Sequence, residues 1–93
     1  MICELCDREI LVGDESRHHL IPKATGGKNG EKAILHTICH KQIHALYNEK
    51  TLANHLNTVS KLKNDMHIKR FIKWIKTKPL NFNTKARMSS IRR

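Results

Sequence analysis

His18-His19, followed after a gap by His36-Thr37-Ile38-Cys39-His40-Lys41-Gln42-Ile43-His44, is the stretch whose reading decides the fold. Adjacent residues on an extended strand point to opposite sides. His18 and His19 therefore cannot easily bind the same ion. Positions four apart on a helix share a face, so His40 and His44 can. The doublet then supplies one metal ligand and one base, and the helical pair supplies two more ligands. That division suggests metal-assisted hydrolysis.

The cysteines are three, Cys3, Cys6 and Cys39. An odd number in a chain that reads as intracellular argues against a disulfide framework. Cys3-x2-Cys6 has the spacing of half a zinc site, and His36-x2-Cys39 repeats that spacing. Together they form a Cys3His set built from two knuckles, a closed structural zinc arrangement. The plain alternative is a buried Cys39 and a Cys3-x2-Cys6 pair that binds nothing, which leaves the matching spacings unexplained.

Ninety-three residues make one small domain. Chains this short bury little apolar surface and often need a staple such as a metal. Tyr47, Phe71, Trp74 and Phe82 are the whole aromatic set. The formal charge is +10, with eighteen Lys and Arg against eight Asp and Glu. Such a balance favours a polyanionic partner, most often nucleic acid. No apolar run approaches the roughly 18 residues of a membrane span. The N-terminal Met1-Ile2-Cys3-Glu4-Leu5-Cys6 lacks a basic region and an apolar signal core, so a cytoplasmic location is expected.

Along the chain, residues 1–8 read as a knuckle and Gly13-Asp14 as a turn after the apolar Ile10-Leu11-Val12. Ser16 to Ile21 alternates loosely up to Pro22 and suits the second strand of a hairpin. Residues 23–32 form a basic, glycine-rich loop, and Ala33-Ile34-Leu35 a brief strand. Thr37 is the expected N-cap of a helix from about Ile38 to Tyr47, with Ile43, Leu46 and Tyr47 toward the core. Thr51 to Leu56 suggests another short helix, followed by a polar stretch. Ile68, Phe71, Ile72 and Ile75 then mark a helix over about Asp65 to Lys76, capped by Asn64 or Asp65 and stopped at Lys78-Pro79. Phe71, Ile72, Trp74 and Ile75 are expected to pack it onto the first helix. The expected organisation is a core over 1–56, a helical extension packing on it over 57–78, and a basic, disordered tail over 79–93.

The order strand with a His doublet, loop, strand, helix with two spaced histidines is that of the ββα-metal, or His-Me finger, core. At Arg17-His18-His19-Leu20-Ile21-Pro22-Lys23, Gly26-Gly27, Cys39-His40 and Ile43-His44, the chain resembles the HNH family of endonucleases. The His-His and His-x3-His detail is similar to the nuclease domains of colicin-type DNases. The flanking Cys-x2-Cys resembles zinc-ribbon-bearing HNH proteins of bacteria and phages. The resemblance covers about residues 1 to 47. It implies an α+β fold: a small ββα-metal core with embedded Cys3His knuckles and C-terminal helices.

The resemblance implies roles as well. His19 would be the general base, a task suited to an imidazole, whose ordinary pKa is near 6.5. His18, His40 and His44 would bind one catalytic divalent ion, Mg2+, Mn2+, Ni2+ or Zn2+, with imidazole ligands favouring a transition metal. That ion would stabilise charge on a phosphate oxygen and on the departing 3′ oxygen. DNA, double-stranded, would be hydrolysed to 5′-phosphate and 3′-hydroxyl ends. Cys3, Cys6, His36 and Cys39 would hold a structural Zn2+ apart from the chemistry. A monomer or homodimer fits, with phage or mobile-element proteins as conceivable partners. The family's middle Asn falls at Glu31, with Asn29 two residues earlier. The group that orients His19 therefore stays open between Asn29, Glu31 and a backbone carbonyl.

Lys41, Lys50, Lys61, Lys63, Lys69, Lys73 and Lys76 have the ordinary reading of solvated faces. Arg17, Lys23, Lys28 and Lys41 are the candidate DNA contacts, and Lys23 and Lys28 rank above the C-terminal set because they flank the histidines. Three other readings compete. A two-Cys two-His finger expects about 12 residues between its inner ligands, whereas 33 separate Cys6 from His40. A ribosomal-type basic subunit gives no reason for the doublet. A non-catalytic zinc-ribbon module that binds nucleic acid is the serious rival; it treats His18 and His19 as ordinary surface or phosphate-contacting residues.

Overall fold

The computed structural model describes residues 1–21 and 30–82. The fold is α+β: two antiparallel strands, β1 (Glu15–His19) and β2 (Lys32–His36), then α1 (Thr37–Leu46), α2 (Glu49–His55), α3 (Val59–Asn64) and α4 (Met66–Ile75). The register pairs Glu15 with His36, His18 with Ala33 and His19 with Lys32. Ser16, His18, Ala33 and Leu35 thus share the face on which α1 packs, and Glu15, Arg17 and His19 point the other way.

The partner of β1 differs from the sequence expectation. Ile10-Leu11-Val12 does not pair with it. Ile10 donates its N–H to the Met1 carbonyl at 2.7 Å, and Ile2 bridges to Glu9. The first knuckle folds Met1–Cys3 back on Arg8–Ile10, so that edge is already satisfied. Gly13, at φ +89°, then turns the chain away with Val12 fully exposed. β1 pairs instead across the glycine-rich loop. It ends at His19, short of the expected Ile21, although Leu20 still donates to the Glu31 carbonyl at 3.1 Å.

The helices follow their caps. Thr37 is the first helical residue of α1, not its cap; His36 holds that place, and the Thr37 hydroxyl donates to the Asp14 carbonyl. Asn48 accepts from the Thr51 N–H and starts α2 at Glu49, two residues before the expected Thr51. The polar stretch after Leu56 contains α3, which the sequence reading omitted. Its Thr58 cap accepts from the Lys61 N–H, but its single turn buries only Leu62, too little for a periodic signal. Of the two expected caps, Asn64 and Asp65, it is Asp65 that caps α4, accepting from the N–H groups of His67 and Ile68. The same carboxylate oxygen accepts the Tyr47 hydroxyl at 2.6 Å, which fastens the end of α1 to the start of α4.

Buried residues from the knuckles, β2 and all four helices form one cluster, from Cys3 and Leu5 through Leu35 and Ile43 to Leu62, Ile68 and Ile75. Arg8 closes it by donating to the carbonyl of Ile75 at 3.0 Å, which also accepts the Lys78 N–H, and to that of Lys78 at 2.7 Å, just beyond α4. Trp74 does not pack inward as expected; it is 41% exposed, with its ring edge-on to Phe82. Phe82 itself packs on the core; residues 83–93 of the expected tail lie outside the described residues. No described helix is long and apolar enough to cross a membrane.

Candidate functional site

Two groups of potential metal ligands assemble among the described residues, and both had been marked by spacing. In each, the ligand atoms all lie within 4.8 Å of one another.

The first is Cys3, Cys6, His36 and Cys39, all buried. The knuckle turns at Asp7, whose φ is +61° and whose side chain pairs with Lys63 at 2.8 Å. Cys3 and Cys39 sulfurs lie 3.7 Å apart. Zinc–sulfur bonds of about 2.3 Å at tetrahedral angles place sulfurs about 3.8 Å apart, so this edge already has the zinc dimension. His36 presents Nδ1 to the Cys6 sulfur at 3.3 Å, while its Nε2 lies 2.9 Å from the Glu9 carbonyl. A carbonyl only accepts, so the proton sits on Nε2 and the Nδ1 lone pair faces the thiols. Such an outer partner is usual for a ligating histidine. Hydrogen bonds from Cys3 and then Cys39 push the Cys6 thiol down, while Cys39 is pushed up by the same cluster. Three thiols so close cannot all ionise without a cation among them. The buried Cys3His cluster fits a structural metal such as zinc.

The second group is His18 from β1 with His40 and His44 from α1. Their ring centroids form a near-regular triangle, with sides of 5.1, 5.3 and 4.9 Å. His18 is fully buried, His40 half-buried and His44 exposed, so the group opens to solvent along α1. Both ring nitrogens of His18 are buried without a hydrogen-bond partner among the described residues. An orphaned buried polar group costs about 1–3 kcal/mol, and a divalent ion would remove that cost. Burial, then the neighbouring His40, His44 and His19, pushes His18 down to about 4. His40 is lowered by burial, then by His44 and His19. Both are thereby kept in the neutral form that ligates metal.

His19 lies on the opposite face of β1, half-buried, yet its charge reaches both His18 and His40. Its neighbour on that face, Arg17, is exposed, as is Lys41, one helical turn before His44. Lys23, Lys28 and Asn29 lie outside the described residues, and Glu31 is exposed beside β2. The two groups are separated along the sheet: His36 ends β2 three rungs from the His18–Ala33 pair, and its side chain alternates to the other side of the strand.

The sequence reading missed Ser16. Its hydroxyl oxygen lies 2.6 Å from His40 Nδ1, which leaves Nε2 for the triad. Strand alternation would have found it, since Ser16 stands two residues before His18 on the same face. Glu9 and Arg8 act through backbone carbonyls across the fold, and no local pattern marks them.

Against known proteins, the chain is 44% identical over 92 residues to the uncharacterized protein YisB of Bacillus subtilis (strain 168), covering 99% of this chain and 90% of that protein. No family model matches the chain. No solved structure matches it either.

Proposed function

This chain belongs to the family of YisB, and we propose that it is a metal-dependent endonuclease of the HNH type that hydrolyses DNA phosphodiester bonds. The observation that carries the reading is the His18–His40–His44 triangle, in which a fully buried His18 has no hydrogen-bond partner among the described residues for either ring nitrogen. A core imidazole kept for packing alone would find a hydrogen bond. One aimed with two others at a common point is built for a cation.

In this reading His18, His40 and His44 hold the divalent ion, and Ser16 fixes the orientation of His40. An ion held there would supply Lewis-acid chemistry to a phosphodiester. His19, next to the ligand His18 in the chain and on the other face of β1, takes the proton from the attacking water. Arg17, on the same face, and Lys41, before His44, meet neighbouring phosphates. The products are a 5′-phosphate and a 3′-hydroxyl. The buried Cys3His cluster holds zinc and locks the end of β2 to the start of α1. That tether matters because a displacement of about 1 Å between base and ligands costs on the order of 100-fold in rate.

The test is nicking of supercoiled plasmid with Mg2+, Mn2+, Ni2+ or Zn2+, with and without chelator, beside His19→Ala. The wild type is expected to nick, and His19→Ala to bind DNA but nick at least about 100-fold more slowly. If both bind DNA and neither cuts with any metal, the chain is a non-catalytic zinc-ribbon module.

A further inference from the structure

The charge of this protein is unevenly placed. Residues 1–65 carry nine Lys and Arg against all eight Asp and Glu, whereas residues 66–93 carry the other nine and no acidic side chain. The part that contains both metal-ligand groups is therefore nearly balanced, and +9 of the +10 lies beyond Asp65. A polyanion would gain little from the first part.

The structure shows which way α4 turns this charge. Ile68, Phe71 and Ile75 are buried, so the opposite side of the helix faces out. Lys69, Arg70, Lys73 and Lys76 are all exposed there, on a band about 120° wide at 100° per residue. Trp74 follows Arg70 by one turn and borders the band, with the Lys78 amine 5.0 Å from its ring centre. Among the described residues, the ion pairs are Met1–Glu9 and Lys63–Asp7, so none of the four cations is spent on a carboxylate. Lys69 to Lys76 spans about 10 Å of helix at 1.5 Å per residue. That is about three steps of one DNA strand at roughly 3.4 Å each. An anionic membrane fits poorly, because a surface helix binds lipid by inserting its apolar face, and here that face is in the core.

We infer that the outer face of α4 is the docking surface for the phosphate backbone of duplex DNA, with Lys69, Arg70, Lys73 and Lys76 on phosphates and Trp74 at the edge of the contact. Naming DNA rests on the nuclease reading above; a phosphate-backbone surface does not. Chemistry and affinity are then divided between two parts of one small domain. The nearly neutral part cuts, and the last helix supplies the sequence-independent grip.

The experiment measures duplex DNA affinity by fluorescence anisotropy over a range of KCl, in the full chain carrying His19→Ala to prevent cutting. The comparison protein adds Lys69→Gln, Arg70→Gln, Lys73→Gln and Lys76→Gln. Four phosphate contacts at about 0.9 each predict that the log–log salt slope falls by between ~3 and ~4. The fluorescence of Trp74, the one tryptophan of the chain, should change when DNA binds. An unchanged slope in a quadruple variant that melts like its parent overturns the inference. So does a larger loss per charge from Arg17→Gln with Lys41→Gln, or a flat Trp74 signal at saturating DNA. Loss of binding to anionic lipid vesicles with DNA binding intact would replace it with a membrane role. A protein that never nicks yet shows the slope loss keeps this surface and refutes only the enzyme.

Discussion

Ser16 Oγ lies 2.6 Å from Nδ1 of His40, joining β1 to α1 inside the histidine triangle. With a metal on Nε2, Nδ1 carries the proton and donates it to the serine oxygen. Ser16→Ala removes that acceptor and frees the ring to rotate. Such outer partners are worth about 10–100-fold in metal affinity. Calorimetric titration with Ni2+ should show a loss of that size while the zinc content of the Cys3His cluster stays the same. Equal affinity in variant and wild type would reduce Ser16 to packing.

The thiol cluster should govern folding itself. Cys6→Ser takes one ligand from a buried set in which His36 is already oriented by Glu9. Structural zinc contributes free energy on the order of 10 kcal/mol in small domains, comparable to the whole stability of a chain this size. The variant is expected to lose cooperative thermal unfolding. A melting curve like that of the wild type would mean the cluster holds no structural metal.

Arg8 offers a test far from either cluster. Its guanidinium donates to the carbonyls of Ile75 and Lys78 at the end of α4. Hydrogen bonds to a charged group are each worth about 1.5–3 kcal/mol. Arg8→Ala should lower the melting temperature by upward of about 10 °C for a domain of this size. Arg8→Lys, unable to span two carbonyls, should recover only part of the loss. A shift of a degree or two would show that the end of α4 is held by its packing alone.

Acid should weaken metal binding less than free imidazoles would suggest. An imidazole of ordinary pKa loses about tenfold in ligand-competent form per pH unit below ~6.5, so three together lose about a thousandfold at pH 5.5. His18 is held down to about 4 and His40 is also lowered, so both stay neutral further into acid. Ni2+ affinity at pH 5.5 should remain within about 100-fold of that at pH 7.5. A full thousandfold fall would show the triad to be open to water. The sign for folding without metal is opposite. The unfolded chain takes up the His18 proton near 6.5 and the folded one near 4, so stability is present above that window and falls as pH falls through it.

Most of both ligand sets could be read from spacing because metal ligation and helix periodicity are local. Cys3-x2-Cys6 and His36-x2-Cys39 each fit one turn of chain, and His40 and His44 share a helix face whatever surrounds them. α4 was legible from Ile68, Phe71, Ile72 and Ile75 with Asp65 as its cap. α3 was not, because one turn burying a single Leu62 carries no period. Trp74 was misplaced because periodicity alone does not say how far the apolar face extends. The edge of that face is set by where Phe82 returns.

The order of residues alone determined which side chains carry metal-binding chemistry and which segments coil, since both depend on neighbours within a few positions. Folding in three dimensions decided the rest. It paired β1 with β2 and left Ile10 to Met1, because the knuckle had already occupied that edge. It set Ser16 against His40 and Arg8 against the last carbonyls of α4, where hydrogen bonds join residues distant in the chain. It also turned Lys69, Arg70, Lys73 and Lys76 outward together, because the single core had claimed the other side of their helix.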